Sequence, residues 1–159
     1  ALIQKFAKKP TIRAKIEVDG EMFEMDERIL IAIGNGGYCG GGFNAASKAE
    51  LADGLTDICI VKNVTRMDIL RLIGSYKAGT HLENEKILPF FTYRKCKNIK
   101  MTFEKPQKVC FDGEIDVCET LDINNIQRGF RLVLPKGIDT GAFYKEITEA
   151  EEEKEALTV

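Results

Sequence analysis

A period of two constrains this chain more than any other feature. Ile12, Ala14, Ile16 and Val18 alternate with polar residues and run straight into Asp19-Gly20. Such alternation places every second side chain on one face of a strand. An Asp-Gly pair tolerates the positive φ that a tight hairpin turn demands. Residues 21–25 then read as the return strand. The pattern recurs downstream. Ile99, Met101 and Phe103 alternate, Val109 and Phe111 lead into a second Asp-Gly pair at 112–113, and Val117, Leu121 and Ile123 follow. A last run, residues 130–134, precedes Pro135. The spacing predicts a mainly β fold.

Two further runs are apolar without alternation. Residues 29–33 are predicted to form a strand buried on both faces, and residues 56–62 another strand. Thr65-Arg66-Met67-Asp68 offers an N-cap with an acidic residue at the third helical position. The helix it opens is expected to turn Met67, Ile69, Leu70, Leu72 and Ile73 inward and to fade between Gly74 and Gly79. One principal helix among several short strands predicts a two-layer, β-sandwich-like domain.

Composition sets the outer bounds. With 159 residues, 44% of them hydrophobic and 30% charged, the chain has enough apolar material for one soluble domain with a real core. A net charge of −2 supplies no global field that would draw it to nucleic acid, so no nucleic-acid partner is expected. Five cysteines with no Cys-x-x-Cys pair argue against a disulfide framework or zinc knuckle, and for a reduced, cytoplasmic setting. No signal peptide is visible, and no apolar run approaches the roughly 18 residues of a membrane span. Residues 1–10 read as the end of a linking helix, entered without a cap, or as a processed start. Residues 11–137 form the β-rich domain, and residues 138–159 an acidic tail, exposed as helix or disordered.

Five constellations could carry chemistry. In the segment Gly34 to Phe43, six of ten positions are glycine. Consecutive N–H groups without side chains can cradle an anion, or the glycines can simply allow tight sheet packing. No Lys-Ser/Thr follows, so it is not a P-loop. Glu50 to Asp57 places Asp53-Gly54 among accessible carbonyls, which suits a hard cation or a plain turn. Asp112-Gly113-Glu114 can present a general base at a strand end, or close a hairpin. His81, the one histidine, reads as a polar loop residue. Arg94, Lys95, Lys97 and Lys100 lie near Phe90, Phe91 and Tyr93. They could meet a phosphorylated headgroup or a membrane surface, or form a solvated strand face.

Taken in order, Asn35-Gly36, Gly40-Gly41-Gly42, Asp53-Gly54-Leu55-Thr56-Asp57, a helix opened by Thr65, and Asp112-Gly113-Glu114 resemble the C-terminal half of the bacterial diacylglycerol kinase-like lipid kinases. That family includes sphingosine and ceramide kinases and is distantly similar to the NAD kinases. The resemblance runs from about Thr11 to about Pro135. It implies that Glu114 is the general base. It implies a Mg2+ ion held by the Asp53 side chain and by the main-chain carbonyls of Glu50 and Leu55. The family's Gly-Gly-Asp-Gly-Thr nucleotide motif does not occur here. ATP is therefore expected to be bound mainly by an N-terminal kinase domain missing from this sequence, and the chain alone is expected to be inactive. The implied setting is cytoplasmic and peripheral to the membrane, with a lipid substrate at the membrane surface, and a homodimer stays open. Two alternatives remain: a non-catalytic β-sandwich binding module, and a kinase acting on a soluble acceptor.

Overall fold

In the computed structural model the described residues are 11–23, 28–127, 129, 133 and 135–137. The helical end expected over residues 1–10, the run at 130–134 and the acidic tail lie wholly or mostly outside them. Among the described residues, seven strands form two antiparallel sheets. The first sheet has the order β2 (Glu21–Phe23), β1 (Ala14–Val18), β6 (Asn98–Phe111), β7 (Glu114–Asn124). The second has the order β3 (Arg28–Gly34), β4 (Thr56–Lys62), β5 (Phe91–Cys96). An α-helix, α1 (Arg66–Ala78), and a short 3-10 turn, Leu88–Phe90, lie between β4 and β5 in the chain. The domain is mainly β and sandwich-like, as the alternation predicts.

The period-two residues make the sandwich interior. Ala14, Ile16 and Val18 point inward from β1, opposite Ile99, Met101 and Phe103 of β6, and meet Ile58 and Ile60 of β4 across the layer. Both Asp-Gly pairs close hairpins with positive φ at both positions, 48° and 85° at Asp19-Gly20 and 47° and 103° at Asp112-Gly113. The Asp19 carboxylate also accepts the backbone N–H groups of Lys97 (3.1 Å) and Asn98 (2.8 Å), clasping the first hairpin to the β5–β6 turn.

The second sheet is buried from both sides, but unequally. Its central strand β4 runs buried from Thr56 through Val61. One face enters the sandwich, and the other, through Cys59 and Val61, packs under α1 with Leu72, Tyr76, Leu82 and Phe91. The expectation for residues 29–33 needs correcting. β3 is an edge strand, Ile29 and residues 31–34 are half-buried, and Leu30 is exposed. Neighbour count, rather than apolar content, sets the burial.

The helix begins as its capping residues dictate. The Thr65 side chain accepts the Asp68 N–H, and the Asp68 carboxylate accepts the Thr65 N–H. It ends at Gly79 in the left-handed region. Its facing differs from the expectation, because Leu72 and Tyr76 are the buried residues, while Met67, Leu70 and Ile73 are exposed.

Past Thr102 the β6–β7 pairing breaks register and resumes only at Gln107–Cys118. Beyond that irregularity Val109 still packs against the core, while Phe111, Ile115 and Val117 toward the hairpin tip are exposed. Among the described residues, no helix is long and apolar enough to cross a membrane.

Candidate functional site

The glycine segment and the acidic turn meet at one end of the second sheet. Gly34 pairs with Asp57 in the β3–β4 ladder, and the Asn35 side-chain amide donates to the Leu51 carbonyl at 3.2 Å. Ala46 N–H donates to the Gly37 carbonyl at 3.2 Å. The triplet Gly40-Gly41-Gly42 has φ of 43°, 81° and 90°, closed by reciprocal backbone bonds between Cys39 and Phe43 of 2.8 and 3.0 Å. A Cβ at any of the three would meet nothing within 4 Å. These glycines therefore serve the left-handed backbone rather than tight sheet packing.

Asp53 lies in the turn that enters β4. Its Oδ1 accepts the Leu55 N–H at 2.9 Å, and its Oδ2 accepts the Lys95 ammonium at 2.6 Å. Glu50 lies 3.4 Å from the same ammonium. Lys95 reaches them because it stands opposite Asp57 in the β4–β5 ladder. Burial works to lower the Lys95 pKa, but the bond to Asp53 and the charges of Asp53, Asp57 and Glu50 together outweigh it and hold the ammonium above its ordinary range. Asp57 is fully buried. The Tyr93 hydroxyl donates to its Oδ1, while its Oδ2 has no hydrogen-bond partner. Burial pushes the Asp57 carboxyl up, against the lowering effect of Tyr93 and Lys95.

This donor set fits a hard cation in chemistry. Three carboxylates face one ammonium, and one buried carboxyl oxygen is orphaned. Among the described residues no three His, Cys, Asp or Glu side chains converge as a metal site, so main-chain carbonyls would have to complete a coordination shell.

Glu114 stands elsewhere. It opens β7 beside the 112–113 turn, exposed, opposite Phe111. Ten residue steps of β7 separate it from Asn124, roughly 33 Å of extended chain. Asn124 pairs with Asn98, close in sequence to Lys95. The structure brings Glu50, Asp53, Leu55, Asp57 and Lys95 together and leaves Glu114 at the other end of the β6–β7 hairpin. On this chain Glu114 and the acidic turn are two separate stations.

Three features escaped the sequence reading. His81 is fully buried rather than a polar loop residue, and packs between Tyr76 and Phe91 with ring centroids 5.0 and 4.8 Å away. Its Nε2 faces Cys59 Sγ at 3.8 Å. The basic cluster is divided between faces. Lys95 faces the acidic turn, while Arg94 lies over the Phe23 ring at 5.9 Å. Third, α1 and the second sheet enclose an apolar cavity of about 300 Å³. Ile29, Ala32, Ile73, Tyr76 and Phe91 line it, with Cys39 and Phe43 from the glycine segment at its edge. Almost no polar atom faces it. The exposed hydrophobic residues of α1 were its only sequence signal.

Comparison with known proteins gives a consistent result. The profile of the family described as YegS C-terminal NAD kinase beta sandwich-like domain matches residues 1–124. A diacylglycerol kinase of Bacillus subtilis is 26% identical over 128 residues, which is 80% of this chain and 40% of that protein. An Alcanivorax borkumensis protein named "Probable lipid kinase YegS-like" is 29% identical over 125 residues, 78% of this chain and 41% of its own. A solved Bacillus anthracis structure named for a diacylglycerol kinase superposes with a TM-score of 0.60 at 27% identity, covering 79% of this chain and 42% of that one. The chain thus spans about two fifths of the length of these relatives.

Proposed function

Because the chain belongs to the YegS C-terminal NAD kinase beta sandwich-like domain family, we propose that it is the acceptor-binding lobe of an ATP-dependent lipid kinase. The reaction is phosphoryl transfer from ATP to the hydroxyl of diacylglycerol or a similar lipid. The apolar cavity beneath α1 carries the lipid reading. A soluble phosphorylated acceptor needs convergent polar partners, whereas this lining offers almost only carbon, which suits an acyl chain.

Glu114 would take the proton from the acceptor hydroxyl as its oxygen attacks the γ-phosphorus and ADP departs. Its exposure at a hairpin tip leaves it accessible to a nucleotide lobe docking from outside this chain. Asp53, with the carbonyls of Glu50 and Leu55, would hold Mg2+, which supplies fixed positive charge to the acidic turn at the other station. With no Gly-Gly-Asp-Gly-Thr motif in the sequence, ATP would be bound mainly by that separate lobe. The chain alone would then transfer no phosphate. The setting is the cytoplasmic face of a membrane.

The test uses the chain joined to its nucleotide lobe, with labelled ATP and either diacylglycerol in mixed micelles or soluble hydroxyl acceptors. Label should enter the lipid alone, and Glu114→Gln should lower kcat by about 10²-fold or more with an unchanged melting temperature. Undiminished turnover in Glu114→Gln removes the base, and labelling of soluble acceptors alone removes the lipid reading.

A further inference from the structure

The face of α1 that the core leaves open carries chemistry of its own. Met67, Leu70 and Ile73 are 60%, 57% and 49% exposed. They follow one another at three-residue spacing along a single helix flank. Leu30 of the adjacent edge strand, also exposed, joins the patch, and both Leu30 and Ile73 line the cavity mouth. The apolar patch and the cavity are therefore one continuous surface. A stripe of this kind on a soluble domain calls for an occupant.

Charge indicates which. Helix α1 carries three cations, Arg66, Arg71 and Lys77, and one acid, Asp68. That acid is turned back onto the Thr65 cap and onto Arg71 at 3.4 Å. The border of the stripe is thus cationic. A second copy of the chain packed face to face would set these cations against each other. An anionic bilayer complements them, and it offers hydrocarbon to the stripe between them.

We propose that the exposed flank of α1 is a membrane-docking face. Met67, Leu70 and Ile73 enter the acyl boundary, and Arg71 and Lys77 meet anionic headgroups. The cavity mouth is thereby set against the bilayer. The inference deepens the lipid-kinase reading and rests on it for preferring a bilayer to a protein partner. It moves the membrane contact away from the Arg94–Lys100 strand residues to a different element.

The sequence has no tryptophan, so Leu70→Trp in the full chain gives a single-site probe. The vesicles are phosphatidylcholine with roughly 30 mol% phosphatidylglycerol, without diacylglycerol or ATP. The indole emission should shift to the blue and be quenched by brominated acyl chains. Vesicle binding should weaken at least about tenfold in Arg71→Gln/Lys77→Gln and on pure phosphatidylcholine. Met67→Ser/Leu70→Ser, both at exposed positions, should abolish co-sedimentation while the circular-dichroism melt stays unchanged. Lys97→Gln/Lys100→Gln should bind as the parent does. An emission that vesicles do not move overturns the proposal. So does one already blue-shifted without them, which would mean that protein covers the face. Because no substrate is present, failure here leaves the Glu114 result standing, and failure of the kinase assay leaves the docking result standing.

Discussion

At His81 the surroundings reverse the character expected of the residue. A lone histidine after a helix reads as polar and exposed, yet this one is sealed between two aromatic rings and a cysteine. Burial holds its pKa below the ordinary 6.5, against a raising effect from the carbonyls of Ala45 and Ser75. The unfolded chain therefore takes up a proton near pH 6.5 before the folded chain does. The stability associated with neutral His81 is whole above that pH and is lost as pH falls through the folded value. We expect the melting temperature to fall as pH drops below about 6.5, and His81→Phe to flatten that limb, as read by calorimetry. An equal slope in the variant would assign the limb to other groups. The neighbouring Cys59 thiol is pushed up to about 12 by burial, so it stays protonated and unreactive over the same range. Residue character at this scale was only partly legible. Asp53 and Glu50 stood together in the sequence, but their partner Lys95 comes from 42 residues further on, and no local spacing reveals a pairing made by strand register.

At the scale of elements, local rules held where local chemistry decides. Alternation located β1 and the first half of β6, Asp-Gly located both hairpins, and the Thr65–Asp68 box located the start of α1. Thr65→Ala removes one half of that box and should cost about 1 kcal/mol of stability, measured by chemical denaturation with an unchanged m-value. Local rules failed where the third dimension decides. The five apolar side chains of α1 share a helical spacing that reads as one core face, but the helix meets the sheet through Leu72 and Tyr76. The remaining apolar flank is an exposed surface that spacing alone cannot distinguish from a core. The cavity was invisible for the same reason, since its walls come from β3, β4, β5 and α1 together.

On the scale of the whole molecule, β4 joins the two hydrophobic clusters, giving Ile58 and Ile60 to one and Cys59 and Val61 to the other. Ile58→Ala should therefore lower stability by about 2–5 kcal/mol, and sheet and helix signals should melt in one coincident transition. Separate melting of the helix would show that the clusters are not coupled. The β6–β7 hairpin is the opposite case, because beyond the register break it touches the core through Val109 while its tip residues Phe111, Ile115 and Val117 are exposed. From Pro106 to Phe111 it extends roughly 17 Å. Geometry makes such an arm a lever with its pivot at residues 105–106, just past the Glu104 N–H bond to the Arg13 carbonyl. A tilt of about 10° there would carry Glu114 through about 3 Å, a hydrogen bond's length, while the sandwich stayed still.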